Sequence, residues 1–268
     1  MGPTSGWFDT ETYLYHLQES PLGRELVLLD EVTSTNDVAR ELANSGCPEG
    51  TLVLAAEQSH GRGRLGRHWA SSRGGLWFSL VFRPPAELGV ASRLSLVSAV
   101  GAAEGVADTT KLRMGLKWPN DVYIKGKKVA GILLELGRDW VVAGTGINVN
   151  QLSWEGEMAA PPTSLRLETG CRQALEPLLA AVVRRTFIRY RQARSRDWAL
   201  VHEAWRDLSI TLGLAVVVSM PGRCFEGIAV DIDGDGNLLV QTGDQMVTVM
   251  AGDVSQIRRK GGCPCRDA

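Results

Sequence analysis

Residues 57–80, EQSHGRGRLGRHWASSRGGLWFSL, are the stretch whose reading decides the fold. They set Arg62, Arg64 and Arg67 on a backbone interrupted by Gly61, Gly63 and Gly66. Glycine lets a loop take left-handed conformations and approach a ligand closely. Arginine offers a planar fork of donors that matches phosphate and carboxylate oxygens. The string GRGRLG satisfies G-x-G-x-x-G, which in a dinucleotide-binding fold joins a strand to a helix whose N-terminus holds a pyrophosphate. TLVLAAEQ, residues 51–58, supplies the strand, but Gly74 and Gly75 follow, and then an alternating strand-like run. The glycines have no helix to open onto, so the doubly wound reading fails. A P-loop is excluded because G-x-x-x-x-G-K-[ST] occurs nowhere in the chain. The loop reads as a lid between two strands, suited to a small anion.

Composition agrees with that scale of ligand. The chain has 268 residues, 44% hydrophobic and 22% charged, the profile of a soluble globular protein with a sizeable core. A net charge of -1 argues against a general nucleic-acid binder, which carries a strong basic excess. The N-terminal MGPTSGWFDTETYLYHLQES has neither the basic nor the apolar region of a secretory signal. Residues 91–110 carry Arg93, Glu104 and Asp108 and are too polar to span a bilayer. A cytoplasmic protein with no membrane partner is expected. Cys47, Cys171 and Cys224 are scattered, and Cys263 and Cys265 form a terminal C-P-C. That pattern predicts reduced, mostly buried thiols and a solvated tail, since no second ligand pair has zinc-site spacing.

Working outward, residues up to about Asp30 read as a short lead. Thr33 to Asp37 then open the helical run DVARELANSG, with Ser34, Thr35 or Asn36 as cap and Gly46 near its end. LWFSLVFRP returns from the lid, and Pro84 and Pro85 stop it. A helix rich in small residues, suited to packing closely on a sheet, covers 94–106. GLKWPNDVYI, VAGILLELG and RDWVVAGTGINVN are then separated by the short turns KGKK and GRD, which makes them neighbouring, antiparallel strands. ALEPLLAAVVRRTFIRYRQ and DWALVHEAWRDL have helical periodicity. Beyond Ile210 the texture becomes short strands split by Pro-Gly, Gly-Asp-Gly-Asn and Gly-Asp turns, a small antiparallel β-barrel. The expected division is residues 1–208 as one domain and 209–268 as the barrel and tail.

Polar residues stand where a buried sheet does not ordinarily place them in STND (34–37), the arginine lid, KWPND (117–121), KVAGIL (128–133) and GTGINVN (144–150). Read alone, Lys128 passes more readily for a solvated turn residue like Lys125 and Lys127. Trp69 is equally a core residue, and Pro119-Asn120-Asp121 is a good turn.

Taken together and in this order, STND, EQxxGRGRxGRxW, GGLWFSL, KWPND, KVAGILLE and GxGINVN resemble the biotin protein ligases. The resemblance is close over residues 32–150 and looser beyond, where AGDV is similar to the family's AGEV-type ending. It implies an α+β fold: a mixed β-sheet with helices on one side, like the class II synthetase-like catalytic domain of that family, plus a C-terminal SH3-like β-barrel. It implies two steps, attack of biotin's carboxylate on the α-phosphate of ATP, then transfer from biotinyl-5′-AMP to one lysine of a biotin carboxyl carrier protein. ATP with Mg²⁺ and biotin are the implied substrates, and a biotin-dependent carboxylase the implied partner. A lipoate-protein ligase, related in fold, is the alternative.

Carried over by motif, the resemblance makes Lys128 the catalytic ammonium, with the VAGIL context choosing it over Lys127. An ammonium there offsets repulsion between carboxylate and phosphate and stabilises charge growing in the transition state. Arg62 and Arg64, catalytic beside Lys128 in this resemblance, match with Gly61 and Gly63 the lid over biotin and its adenylate, Arg64 also reaching ATP; the lid is expected to be mobile before ligand binds. Arg67 faces the triphosphate, and Trp69 stacks on or flanks the adenine. Ser34, Thr35, Asn36 and Gln58 match the ureido-binding group, a neutral ring needing donors and acceptors. Lys117, Asn120, Asp121 and Asn148 match the nucleotide side, with Asp121 a partner for magnesium or for its waters. Gly131, Gly144 and Gly146 let backbone line the biotin pocket, which Lys128 also faces. No metal-ligand set is assigned. His60 departs from the family's usual small residue. About thirty residues precede STND, too few for the DNA-binding module of the repressor members, so no nucleic-acid partner is expected. A homodimer through a sheet edge is left open by analogy.

Overall fold

The structure is a computed structural model that describes residues 6–85, 91–154, 158, 160–195, 197–220, 222–250 and 252–256. Its larger sheet is built from β1 (Leu26–Val32), β2 (Leu52–Gln58), β3 (Leu76–Phe82), β4 (Gly115–Lys117), β5 (Asp121–Ile124), β6 (Lys127–Leu136) and β7 (Val141–Ile147). The spatial order is β1-β2-β3-β7-β6-β5-β4. Only β1 and β2 run parallel; every other neighbouring pair is antiparallel, as the short turns after β5 and β6 require.

The helices are α1 (Thr10–Leu17), α2 (Thr35–Asn44), α3 (Ala91–Thr110), α4 (Leu165–Thr169), α5 (Leu175–Arg194) and α6 (Trp198–Leu208). Alternation along the strands sends successive side chains to opposite faces. Leu52, Leu54, Phe78 and Leu80 join the large core with residues of α3 and α5, whereas Val53, Val81 and Val142 pack on Ala39 and Ala43 of α2. Helices therefore cover both faces of the sheet, which corrects the expectation of one side. The glycines of α3 face α5, where packing on a sheet was expected: a Cβ on Gly101 would lie 2.6 Å from Thr186 Cα, and one on Gly105 would lie 2.5 Å from Val182 N.

The lead expected before Asp30 is folded. Tyr13 and Leu17 of α1 are buried in the large core, and β1 adds an edge strand. Its short apolar run LVLLDEV pairs with β2 across the whole of α2, a partner that local sequence does not reveal.

The C-terminal region forms a five-stranded antiparallel sheet from β8 (Ala215–Met220), β9 (Arg223–Ile232), β10 (Leu238–Thr242), β11 (Gln245–Val249) and β12 (Asp253–Gln256), in the order β11-β10-β9-β8-β12. It is fastened to the larger unit by Trp118, whose N–H donates to Thr211 Oγ1 at 3.0 Å and whose indole donates to Gly236 O at 3.0 Å. Arg93 pairs with Asp235 and Arg206 with Asp231, each at 2.6 Å. No helix among the described residues is long and apolar enough to cross a membrane. Cys47 and Cys171 are free, but Cys47 is half-buried and Cys171 and Cys224 are exposed, which corrects the expectation of mostly buried thiols. The C-P-C lies outside the described residues.

Candidate active site

A cleft of about 720 Å³ opens over β3, β7, β6, β5 and β4. Its floor is strand backbone, its roof is the arginine lid, and one end is closed by Ser219 of β8 and Asp253 of β12.

The lid is a narrow antiparallel loop, bridged at Gln58–Ser71 and Arg62–His68, with a single 3₁₀ turn over Arg64–Gly66 at its tip. Gly66 has φ +70° there, a conformation glycine takes without strain. No longer helix follows, and the chain enters β3, as the rejection of the dinucleotide reading anticipates. Gly61 is buried and does not line the cleft, contrary to the expectation for it. A Cβ there would collide with Ser71 Oγ and Trp69 O, so this glycine permits the lid's closure on itself. Gly63 does line the cleft, and its N–H donates to Arg67 O at 2.7 Å. His60 sits outside the cleft, exposed, with its N–H on Thr33 O at 3.0 Å, so its bulk meets no ligand space.

At one end of the cleft, Ser34, Thr35 and Asn36 are all buried at the start of α2. Ser34 occupies the cap position, but its side chain makes no capping bond. Instead Gln58 Oε1, from the next strand, accepts the Thr35 N–H at 2.8 Å and the Thr35 hydroxyl at 3.1 Å. Gln58 Nε2 donates to Ser71 Oγ at 2.8 Å, and Ser71 donates to Trp69 O at 3.0 Å. Ser79, fully buried on β3, lies 2.8 Å from Thr35 Oγ1 and 2.7 Å from Asn36 Oδ1. The result is a neutral pocket of hydroxyls and amides with Ser34 among its lining. Gly144 lines it too, because a Cβ there would overlap Asn36 Oδ1.

The other end is cationic. Lys117 is half-buried and its Nζ faces the Tyr123 ring at 5.8 Å; burial holds its ammonium below the ordinary lysine range, with Asp121 opposing and Lys128 adding to the effect. Arg64 reaches Asn120 Oδ1 at 3.4 Å and Gly252 O at 3.1 Å, tying lid, β4–β5 turn and C-terminal sheet together. Arg67 forms an ion pair with Asp253. Asn120 donates through Nδ2 to Ile132 O, and Asn148 through Nδ2 to Thr163 O at 3.0 Å. Both amides are thereby fixed at the cleft wall.

Between the two ends, in sheet order, stands Lys128 on β6. Its Nζ is 2.8 Å from Asp121 Oδ1 and 5.0 Å from the centre of the Trp69 ring. Its backbone is clamped by residues 161–163, with N–H to Pro161 O at 2.8 Å and its carbonyl accepting from Thr163 at 2.9 Å. Lys127 points away, exposed and 3.8 Å from Glu168 Oε1. Gly131 and Gly146 are paired across β6 and β7 and line the cleft, but their role differs from the expectation of open backbone. Trp69 lies on them, with a Cβ on Gly131 falling 3.2 Å from the indole. The indole N–H is buried without a hydrogen-bond partner.

Arg62 is where structure and expectation differ most. Its guanidinium lines the cleft, but forks onto Asp37 with two bonds of 2.7 Å and reaches Glu135 at 3.4 Å. The hydrogen bond from Arg62 holds the Asp37 carboxyl below the usual carboxylate range. Arg62 thus anchors the base of the lid. Sequence reasoning missed Asp37 and Glu135 in this role, although both end motifs it singled out. It also missed Tyr123, Trp154, Ser219 and Asp253 on the cleft wall. Nothing local marks Tyr123, Trp154 or Ser219, which reach the cleft only through packing, whereas Asp253 stands in the AGDV string whose resemblance carried no role for it.

Comparison with known proteins agrees with this architecture. Residues 28–150 match the Biotin/lipoate A/B protein ligase family, and residues 211–255 match the Biotin protein ligase C terminal domain. The chain is 34% identical over 243 residues to a biotin–[acetyl-CoA-carboxylase] ligase of Mycobacterium tuberculosis, covering 88% of this chain and 90% of that protein. It is 33% identical over 248 residues to a bifunctional ligase/repressor of Bacillus spizizenii, covering 90% of this chain and 76% of that one. Among solved structures, biotin protein ligase from Aquifex aeolicus in complex with biotin and ATP superposes with a TM-score of 0.79 at 31% identity, covering 88% of this chain and 99% of that chain. Matched in both regions and over most of its relatives' length, this chain belongs to the biotin protein ligase family.

Proposed function

We propose that this chain is an ATP-dependent biotin ligase, and that Lys128 stands where the reaction occurs. The observation that carries the reading is the division of one cleft into a neutral hydroxyl-and-amide pocket and a cationic end, with the Lys128 ammonium between them in sheet order. The neutral pocket suits a ureido ring, which both donates and accepts. The cationic end, with Lys117, Arg64 and Arg67, suits a triphosphate. A carboxylate oxygen of biotin attacks the α-phosphorus, the bond to the β-phosphate breaks, and pyrophosphate departs. Lys128 lowers the repulsion between the two anions and stabilises the charge that develops. The acceptor lysine's amine then attacks the acyl carbon, and AMP leaves with the electrons of the broken anhydride bond.

In this reading Ser34, Thr35, Asn36 and Gln58 bind biotin beside Gly144, while Asn120, Asp121, Asn148 and Trp69 serve the nucleotide. Asp121 and Asp253, paired here with Lys128 and Arg67, are the cleft carboxylates that would hold a Mg²⁺ arriving on the triphosphate, which would supply charge neutralisation of the phosphate oxygens. Residues 209–268 act as a separate unit, of which Ser219 and Asp253 close the nucleotide end. The acceptor is a carrier domain of a biotin-dependent carboxylase, met in the cytoplasm, and the net charge of -1 favours no nucleic-acid step. The match of residues 211–255 to a biotin ligase C-terminal domain favours biotin over lipoate. The test combines purified chain, Mg-ATP, labelled biotin and a carrier domain. Pyrophosphate release and labelling of the carrier are expected; labelling that needs lipoate instead refutes the reading.

A further inference from the structure

KVAGILLE ends on Glu135, a residue that the proposed reaction leaves without a task. Its side chain does not line the cleft, yet it touches one that does. Asn36 Nδ2 donates to Glu135 Oε1 at 3.0 Å and leans toward Leu133 O at 3.5 Å. At the other end of the same amide, Oδ1 accepts from the Ser79 hydroxyl at 2.7 Å. Asn36 is 3% exposed, and its Oδ1 presses against the bare backbone of Gly144, so the side chain has little room to move. What remains open is a half-turn of the amide, which exchanges its oxygen and nitrogen at almost no steric cost.

Ser79 cannot decide that choice, because a hydroxyl both donates and accepts. An ionised carboxylate only accepts. Glu135 therefore dictates that Nδ2 faces it and that Oδ1 faces Ser79. With both amide hydrogens directed at Glu135 and Leu133, the second lone pair of Oδ1 is the site left for a ligand donor. Glu135 is itself held, by Arg40 Nη1 at 3.3 Å on Oε2 and by Arg62 Nη2 at 3.4 Å on Oε1. Both arginines also pair with Asp37.

We propose that Glu135 is a positioning residue for biotin, which sets the Asn36 amide so that its oxygen receives a ureido N–H. The inference rests on the ligase reading above and adds a residue to it. Losing Glu135 lets the amide invert and present a donor to a donor, leaving polar groups unpaired in a buried site.

The test measures biotin Kd by calorimetry and ATP KM by pyrophosphate release. Glu135→Ala is expected to weaken biotin by about tenfold, with ATP KM changed by less than about twofold. Glu135→Gln keeps the size but offers a donor as well as an acceptor, so it no longer dictates the Asn36 amide and is expected to weaken biotin by about fivefold. A Gln variant that binds biotin as tightly as the wild type overturns the proposal, because an accept-only group would then not be what sets Asn36. A parallel rise in biotin Kd and ATP KM also overturns it, as general loosening. Should thermal melting show the Ala variant unfolded, the isosteric Gln variant carries the test, with biotin weakened by about fivefold and ATP KM unmoved; unchanged biotin binding there sinks the idea. Wild-type chain that binds no biotin in the same instrument refutes the ligase reading itself.

Discussion

Trp69 rests directly on the backbone of Gly146, so closely that a Cβ on the glycine would lie 2.5 Å from the indole nitrogen. Gly131, its partner across the β6–β7 ladder, completes the seat, and the Lys128 ammonium faces the ring at 5.0 Å. The two glycines thus determine where an aromatic surface is offered to the nucleotide.

Gly146→Ala should lift the indole from this seat. If Trp69 stacks on the adenine, ATP KM rises by about tenfold, the scale of one lost base–aromatic contact. Biotin Kd, set at the far end of the cleft, should stay nearly constant. Parallel measurement of the two constants checks the assignment, and an unchanged ATP KM contradicts it.

Lys128→Ala should suppress adenylate formation by about two to three orders of magnitude, the range for loss of one preorganised charge-stabilising donor. Lys127→Ala should leave it nearly unchanged, since Lys127 is exposed and 3.8 Å from Glu168. Single-turnover pyrophosphate release distinguishes the neighbours; equal effects would remove Lys128 from its role.

Lys117 supplies a pH dependence. Burial lowers its folded-state pKa below the ordinary 10.5, so the ammonium is lost at a lower pH than in the unfolded chain. The cost of burying that charge is present in full below the folded value and fades as pH rises toward the unfolded one. ATP binding should move oppositely, weakening as pH rises through the folded value, before 10.5 is reached. In Lys117→Arg, which stays charged throughout, this alkaline limb of the ATP KM profile should disappear.

Gly105→Ala tests the helix packing that supports the sheet. Alanine favours a helix over glycine by about 1 kcal/mol. Against this, the new methyl would meet Val182 backbone at 2.5 Å, and backbone cannot rotate aside. Overpacking of this kind costs about 1–3 kcal/mol, so a net loss is expected. Urea unfolding should show a lower midpoint; a higher one would mean that α3 and α5 have slack.

Much of the site was legible before folding, because its residues cluster in short motifs that end strands or open a helix. Ser34, Lys117 and Lys128 line one cleft although more than ninety residues separate the first from the last. The residues that escaped notice are those whose meaning depends on a distant partner. Glu135 reads as an ordinary charged strand end until Asn36 and Arg62 arrive from elsewhere in the chain. Gly61 looked like a ligand-facing hinge, yet its neighbours Ser71 and Trp69 make it a packing residue.

By itself the sequence determined the antiparallel run from β5 to β7 and the chemistry available in the lid. Those follow from side-chain alternation, turn length and residue type, all of which act over a few positions. Only the tertiary structure decided that β1 joins the sheet beside β2, that α2 covers its second face, and that Arg62 holds Asp37 while Arg64 reaches Gly252. The three lid arginines are chemically alike, and their roles separate only when distant carboxylates and carbonyls come within hydrogen-bonding distance.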